Sequence, residues 1–119
     1  MKKKAIIISI KGFKLTNKEK LLFTKESPWG LILFKRNIKS FPQVRLLIKN
    51  IKKITKDNKF PILIDEEGST VTRLNKIINH NIDANFFGKL YLSNKKMSIQ
   101  LYKNYLSELC KNLRNIGIN

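Results

Sequence analysis

Phe60-Pro61-Ile62-Leu63-Ile64-Asp65-Glu66-Glu67-Gly68-Ser69-Thr70-Val71-Thr72-Arg73-Leu74 is an apolar run of strand length that ends abruptly in three consecutive carboxylates and a glycine, with an arginine eight positions after the first acid. Packing gives a buried strand no reason to finish in Asp-Glu-Glu. An ionised carboxylate is stable only in water, opposite a cation, or against the hydroxyls of a ligand. The three stand out further because the 119 residues contain only 8 acids. The segment reads as the place where an α/β protein delivers polar chemistry to a strand end.

Two further apolar runs lie upstream. Ala5 to Ile10 is rich in isoleucine, is closed by Gly12, and is expected to be a strand buried on both faces. Trp29-Gly30-Leu31-Ile32-Leu33-Phe34 ends in Lys35-Arg36-Asn37, so its polar groups also gather at the C-terminal end. Between these runs, Thr16-Asn17-Lys18-Glu19 has the form of a capping box, opening a short helix to about Lys25 that Ser27-Pro28 stops. Ser40-Phe41-Pro42-Gln43 is expected to be another capping box opening a second helix, with proline in the first turn where its missing N–H costs little. Val44, Leu47, Ile48, Ile51 and Ile54 form the apolar stripe of that helix. Asp57-Asn58-Lys59 then turns the chain into Phe60 to Ile64, expected to be the central strand. From Leu74 to about Asn94 the apolar residues lack a clean period, so a loop with short helical turns is expected, with His80 exposed in it. From about Lys95 the spacing of Tyr102, Tyr105, Leu106, Leu109, Leu113 and Ile116 predicts a long helix capped by Gly117. Ile118-Asn119 then looks like the first step of a fourth strand.

Repeated strand–helix units with buried strands belong to the α/β class and call for parallel pairing through crossover helices. An open doubly wound sheet and the opening part of a (β/α)8 barrel both fit. Neither G-x-G-x-x-G nor a P-loop pattern occurs, which weakens nucleotide-binding versions of the first, and no cofactor is implied. In either fold ligands gather where strands hand over to the following loops. Arg36, Asn37, Asp65, Glu66 and Arg73 all fall there.

Composition supplies the competing reading. With 25 Lys+Arg against 8 Asp+Glu, the formal charge of +17 suggests nucleic acid or an anionic surface as partner, hence a small basic RNA-binding α/β protein as the alternative. The excess is mostly lysine, however, accompanied by abundant Asn and Ile, as an AT-rich codon bias would produce. Aromatics are not interleaved with the basic residues as a base-stacking platform requires. Solvated lysine faces account for the charge more simply. The lone Cys110 excludes an internal disulfide framework and a cysteine-based metal cluster, and suits a reducing compartment. Met1-Lys2-Lys3-Lys4 and the apolar residues after it imitate a signal peptide. The apolar part is shorter than the usual minimum of about seven residues, and no small-residue cleavage site follows. No run approaches the roughly 18 apolar residues of a membrane span.

Gly30-Leu31-Ile32-Leu33-Phe34-Lys35-Arg36-Asn37 and Ile64-Asp65-Glu66-Glu67-Gly68 through Arg73-Leu74 resemble the N-terminal part of the bacterial β-N-acetylhexosaminidases of glycoside hydrolase family 3, whose patterns run G-G-[VIL]-I-L-F-x-R-N and [VI]-D-x-E-G-G-x-V-x-R-[LF]. The resemblance implies a (β/α)8 TIM barrel, a cytoplasmic location, and removal of terminal N-acetylglucosamine from peptidoglycan fragments during cell-wall recycling. It makes Asp65 the carboxylate that accepts hydrogen bonds from sugar hydroxyls, and Arg73 the arginine that contributes to binding beside it. Glu67 would hold the loop, or serve equally well as a helix-cap acid or a partner of Arg73.

The chain departs from the pattern at Gly68-Ser69-Thr70, where the family has Gly-Gly-Arg, and at Trp29-Gly30, where it has Gly-Gly. If the second loop glycine has φ > 0, Ser69 is strained and shifts Asp65. The family's nucleophilic aspartate and histidine-containing acid/base loop have no counterpart here, so no catalytic residue is expected. Asp65 and Glu66, as neighbours on a strand, point to opposite faces and cannot form the pair about 5 Å apart that a retaining glycosidase needs. A barrel takes about 250 residues. Residues 1–119 are therefore expected to form one partial barrel domain of three parallel strands. Its bare sheet edge predicts weak stability or association, with the missing C-terminal part of the barrel as a candidate partner.

Overall fold

The structure, a computed structural model, describes residues 2–68, 70–78 and 82–119. Ser69 and His80 lie outside the described residues. The elements follow in the order β1 (Lys4–Ile8), α1 (Asn17–Glu26), β2 (Pro28–Leu33), a single 3-10 turn (Lys35–Asn37), α2 (Phe41–Thr55), β3 (Ile62–Ile64), α3 (Ala84–Ser93) and α4 (Lys95–Ile116). β1 pairs with β2 and β2 with β3, both in parallel, so the α/β class and the crossover roles of α1 and α2 are as expected. The sequential order β1-β2-β3 suits the start of a barrel and also one half of a doubly wound sheet.

The central strand is β2, not the segment ending at Ile64. β2 reaches close to the lead-in of β3 because Gly30 has no side chain: a Cβ there would lie 3.1 Å from the Pro61 carbonyl oxygen. On the far side of β3, the Asn119 N–H donates to Ile62 O (3.3 Å) and the Ile62 N–H donates to Asn119 Oδ1 (2.9 Å). The last two residues thus take the place of a fourth strand's first step. β1 is an edge, and the expectation that both its faces are buried fails: Ile6 and Ile7 are 51 % and 44 % exposed. A β-branched composition signals strand, but burial of both faces needs a packed layer on each, and Ile6 and Ile7 lack that cover.

α1 begins as its capping box dictates. Thr16 Oγ1 accepts from the Glu19 N–H, and Glu19 Oε2 accepts from the Thr16 N–H. It ends where Ser27 takes φ +46° ahead of Pro28. α2 is capped by Ser40, but the Gln43 carboxamide reaches back one residue further than a capping box requires, accepting from the Lys39 N–H. Val44, Leu47, Ile48 and Ile51 are buried against Leu31, Leu33, Ile62 and Phe60, and Ile54 packs at the margin.

The segment after Leu74 contains a helix where a loop was expected. Asp83 caps α3 by accepting from the Phe86 N–H, and Phe87 packs edge-on to Tyr102 and against Tyr105 of α4. Ser98 is buried between them, its hydroxyl donating to Phe87 O. α4 reaches the main core only at its C-terminal end, through Leu113 and Ile116, while Tyr102 and Leu106 stay partly in solvent. Gly117 caps it at φ +107°. Exposed lysines lie on α1 (Lys18, Lys20, Lys25), α2 (Lys49, Lys53), α3 (Lys89) and α4 (Lys96, Lys103, Lys111). The charge is spread over the described helices rather than gathered on one, which removes the main argument for an RNA-binding face. No described helix is long and apolar enough to cross a membrane.

Candidate functional site

Three strands run in parallel, so their C-terminal ends lie side by side. Ser9 and Ile10 follow β1, Phe34 and Arg36 follow β2, and Asp65 follows β3. After β3 the chain turns back on itself. Gly68 sits at φ +114°, where an added Cβ would lie 3.1 Å from Ile82 O, and the Glu67 N–H donates to Val71 O (2.8 Å). The turn returns Arg73 to the strand end. Its Nη2 lies 3.7 Å from Asp65 Oδ2, with the two side chains 28 % and 45 % exposed. A direct charge-assisted hydrogen bond would be about 2.7–2.9 Å. The pair is thus an ion pair rather than a closed clamp, and the carboxylate keeps lone pairs for other donors.

The loop is held by Glu66, not by Glu67. Glu66 Oε2 accepts from the backbone N–H groups of Arg73 (2.9 Å) and Leu74 (3.1 Å), which pins the returning segment to the end of β3. Glu67 is exposed, and no described helix begins at it. Burial pushes the Tyr105 phenol upward, and the Glu66 carboxylate adds to the shift.

Asn37, placed by sequence among ligand-facing groups, is instead fully buried. Its Nδ2 donates to Ile10 O and Gly12 O, each at 3.0 Å, and its Oδ1 accepts from the Phe34 N–H at 2.9 Å. It ties the loop after β1 to the loop after β2. Arg36 remains exposed, its Nε donating to Ile10 O and its Nη2 to Ser9 Oγ, with its guanidinium 4.6 Å from the centre of the Phe34 ring. Arg73 approaches that ring too, at 5.8 Å.

Asp65 and Arg73 are partly exposed at the strand end. Hollows of about 700 and 670 Å³ flank α2, one lined by residues such as Arg45, Lys49 and Arg114, the other by Phe13, Leu46 and Lys53, and neither includes the pair.

No family model matches the chain. Curated relatives do. A β-hexosaminidase of Psychromonas ingrahamii is 32 % identical over 68 residues, covering 57 % of this chain and 20 % of the relative. A β-hexosaminidase of Thioalkalivibrio sulfidiphilus is 26 % identical over 114 residues, covering 96 % of this chain and 33 % of the relative. Among solved structures, NagZ of Neisseria gonorrhoeae in complex with zinc superposes with a TM-score of 0.74 at 26 % identity, covering 96 % of this chain and 34 % of NagZ. The same protein in complex with N-trifluoroacetyl-D-glucosamine superposes with a TM-score of 0.64 at 29 % identity over 75 % of this chain and 26 % of NagZ. The chain spans between a fifth and a third of the length of the curated relatives it matches. The resemblance carried by the two motif blocks holds: the chain is related to the N-terminal part of the family 3 β-hexosaminidases.

Proposed function

We propose, from this relationship, that the chain carries the N-terminal part of a (β/α)8-barrel glycoside hydrolase that acts in the cytoplasm on terminal N-acetylglucosamine of peptidoglycan fragments. Residues 1–119 would be one partial domain of it, supplying one wall of the sugar pocket. The observation that supports the reading is Asp65 at the C-terminal end of β3, ion-paired to an Arg73 brought back by a loop that Glu66 holds. A short carboxylate can accept from both hydroxyls of a sugar diol. The guanidinium beside it keeps it aimed.

Hydrolysis with retention needs two groups about 5 Å apart on either side of the scissile bond. Asp65 turns to Arg73 and Glu66 to the backbone of the loop, so they do not form that pair. The nucleophile and the acid/base group are proposed to come from further strands of the barrel, in the same polypeptide or in a partner chain. The 119 residues then bind sugar weakly and hydrolyse nothing.

Titration of N-acetylglucosamine followed by NMR is expected to give saturable shifts around Asp65 and Arg73, with a Kd on the order of 1–10 mM, equivalent to about 3–4 kcal/mol. Asp65→Ala abolishes them. A chromogenic N-acetylglucosaminide is expected to remain uncleaved. Robust turnover, or a wild-type chain that binds no sugar, refutes the assignment.

A further inference from the structure

We propose that the hollow between α2 and α4 is a binding site for a ligand carrying two or more phosphate groups. The inference is independent of the sugar-site reading, since neither Asp65 nor Arg73 lines this hollow. Its volume is about 700 Å³, and its lining includes Arg45, Lys49, Lys52, Lys53 and Arg114, five cations with no acid among the described residues beside them. None of the five joins an ion pair among the described residues. Asp57, the acid that follows α2 in the chain, is ion-paired with Lys3, and Glu108 on α4 with Lys111.

Two ordinary causes of such a cluster leave part of it unexplained. A codon bias toward lysine does not supply arginine: only four of the 25 basic residues are arginine, and two of those four, Arg45 and Arg114, line this hollow. The helix dipole favours cations in a last turn, which describes Lys52 and Lys53 on α2 and Arg114 on α4. Arg45 is the fifth residue of α2 and Lys49 the ninth, where the dipole gives a cation no advantage. Arg45, Lys49 and Lys53 also follow one another at i, i+4 spacing, at which like charges destabilise a helix. A counter-anion in the hollow removes that repulsion. Ile48 and Ile116, 2 % and 1 % exposed, line it as well, and an apolar surface weakens the screening of the charges beside it. Guanidinium groups take phosphate oxygens through two parallel N–H···O bonds. From Arg45 to Lys53 the helix advances about 12 Å at 1.5 Å per residue, further than a single phosphate spans, which is why the ligand is assigned more than one.

The net charge of +17 attracts any anion, so the test must separate the hollow from the general field. The 119-residue chain is titrated calorimetrically at about 0.15 M salt, where exposed charges more than about 8 Å apart are screened. The probes are inorganic tripolyphosphate, ADP and inorganic phosphate. Tripolyphosphate, ADP or both are expected to bind one to a chain and at least about tenfold tighter than inorganic phosphate, which meets only part of the cluster. A preference for ADP identifies a nucleotide as the source of the phosphates, and a preference for tripolyphosphate an inorganic chain.

Arg45→Gln and Arg114→Gln are each expected to weaken binding about tenfold, the loss of one charge-assisted contact. Both side chains are exposed, so neither change should disturb the fold. Asn50→Asp, which sets a carboxylate among the lining residues, should weaken binding at least as much and covers the case in which an arginine variant fails to fold. Lys103→Gln, exposed on α4 and outside the hollow, leaves the affinity unchanged. If neither tripolyphosphate nor ADP binds tighter than inorganic phosphate, if several anions bind each chain, or if Lys103→Gln weakens binding as much as Arg114→Gln, the site is overturned and the charge acts only as a diffuse field.

Discussion

Replacing Asn37 with alanine is expected to cost about 2–4 kcal/mol of folding stability, a large share of the roughly 5–15 kcal/mol typical of a native domain. The carboxamide is wholly buried and makes three hydrogen bonds, to Ile10 O, to Gly12 O and from the Phe34 N–H. Each contributes about 0.5–1.5 kcal/mol net, and a buried group left without a partner costs about 1–3 kcal/mol. The three groups do not suffer equally. Ile10 O keeps the Arg36 Nε–H as donor, and Gly12 is not fully buried, so its carbonyl can find water. The Phe34 N–H loses the one side chain that the structure gives it. At about 2.1 cal/mol/K of unfolding entropy per residue, a loss of 2–4 kcal/mol lowers Tm by roughly 8–16 °C for 119 residues. Urea unfolding followed by circular dichroism measures the change as a lower midpoint with the slope unaltered. Asn37→Asp is the sharper companion. It keeps the shape and the bond from Phe34, yet sets a carboxylate against two carbonyl oxygens, and at neutral pH it should be at least as damaging. A loss under about 0.5 kcal/mol in Asn37→Ala, with unchanged slope, refutes the view that this side chain joins the first two strand ends.

Glu66→Ala releases the Arg73 and Leu74 N–H groups and is expected to speed their hydrogen exchange and weaken sugar binding at Asp65. Glu66→Gln, which keeps a neutral acceptor, should do less. Gly68→Ala forces an L-residue to φ +114° and Gly30→Ala sets a Cβ 3.1 Å from Pro61 O, so each should lose about 1–3 kcal/mol in denaturation. Gly12→Ala, with nothing within 4 Å of the new atom, should not. Burial pushes the Glu19 carboxyl up, but the Thr16 and Lys11 N–H groups, the Thr16 hydroxyl and the Lys11 charge together hold it below the usual carboxylate range. A depressed folded-state pKa stabilises above the unfolded value and is lost as pH falls through the folded one. Glu19→Gln should therefore destabilise at pH 7 and converge with the wild type in acid, as Tm against pH would record. A gap between the two that persists at pH 2 would contradict the linkage.

What the sequence reveals divides by the distance over which each feature is decided. Thr16 with Glu19, and Ser40 with Pro42, announce α1 and α2 because a cap is settled within four residues. Asp65 and Arg73 were picked out by the motif resemblance, and the structure sets them 3.7 Å apart. α3 was not legible. Its cap, Asp83, has no Glu or Gln three residues on, Gly88 interrupts it, and its order depends on Phe87 meeting Tyr102 and Tyr105 of the next helix. Asn37 reads as a polar residue at a strand end, whereas its acceptors lie 25 and 27 positions earlier in the chain. Glu66 and Glu67 are indistinguishable until the turn at Gly68 decides which of them meets the returning backbone. The exposure of β1 could not be read from Ile6 and Ile7, because a strand's own composition does not report whether a layer covers each of its faces.

The strand end combines a tight frame with loosely committed chemistry, and the contrast bears on how a ligand would be received. Asn37 fastens the loop after β1 to the loop after β2, Gly30 lets β3 approach closely, and Glu66 fastens the loop after β3 to its own strand. These contacts use neutral groups or backbone donors at 2.9–3.1 Å. The groups they present are held differently: Asp65 and Arg73 stop at 3.7 Å, and Arg36 rests on a ring, a carbonyl and a hydroxyl. Fixed backbone beneath incompletely satisfied charges lowers the ordering cost of binding while leaving hydrogen-bonding capacity for the ligand to use. If the frame were loosened, as Asn37→Ala and Glu66→Ala would do from its two sides, affinity should fall without any loss of the charged groups. Sugar binding that survived both changes unaltered would place the recognition elsewhere.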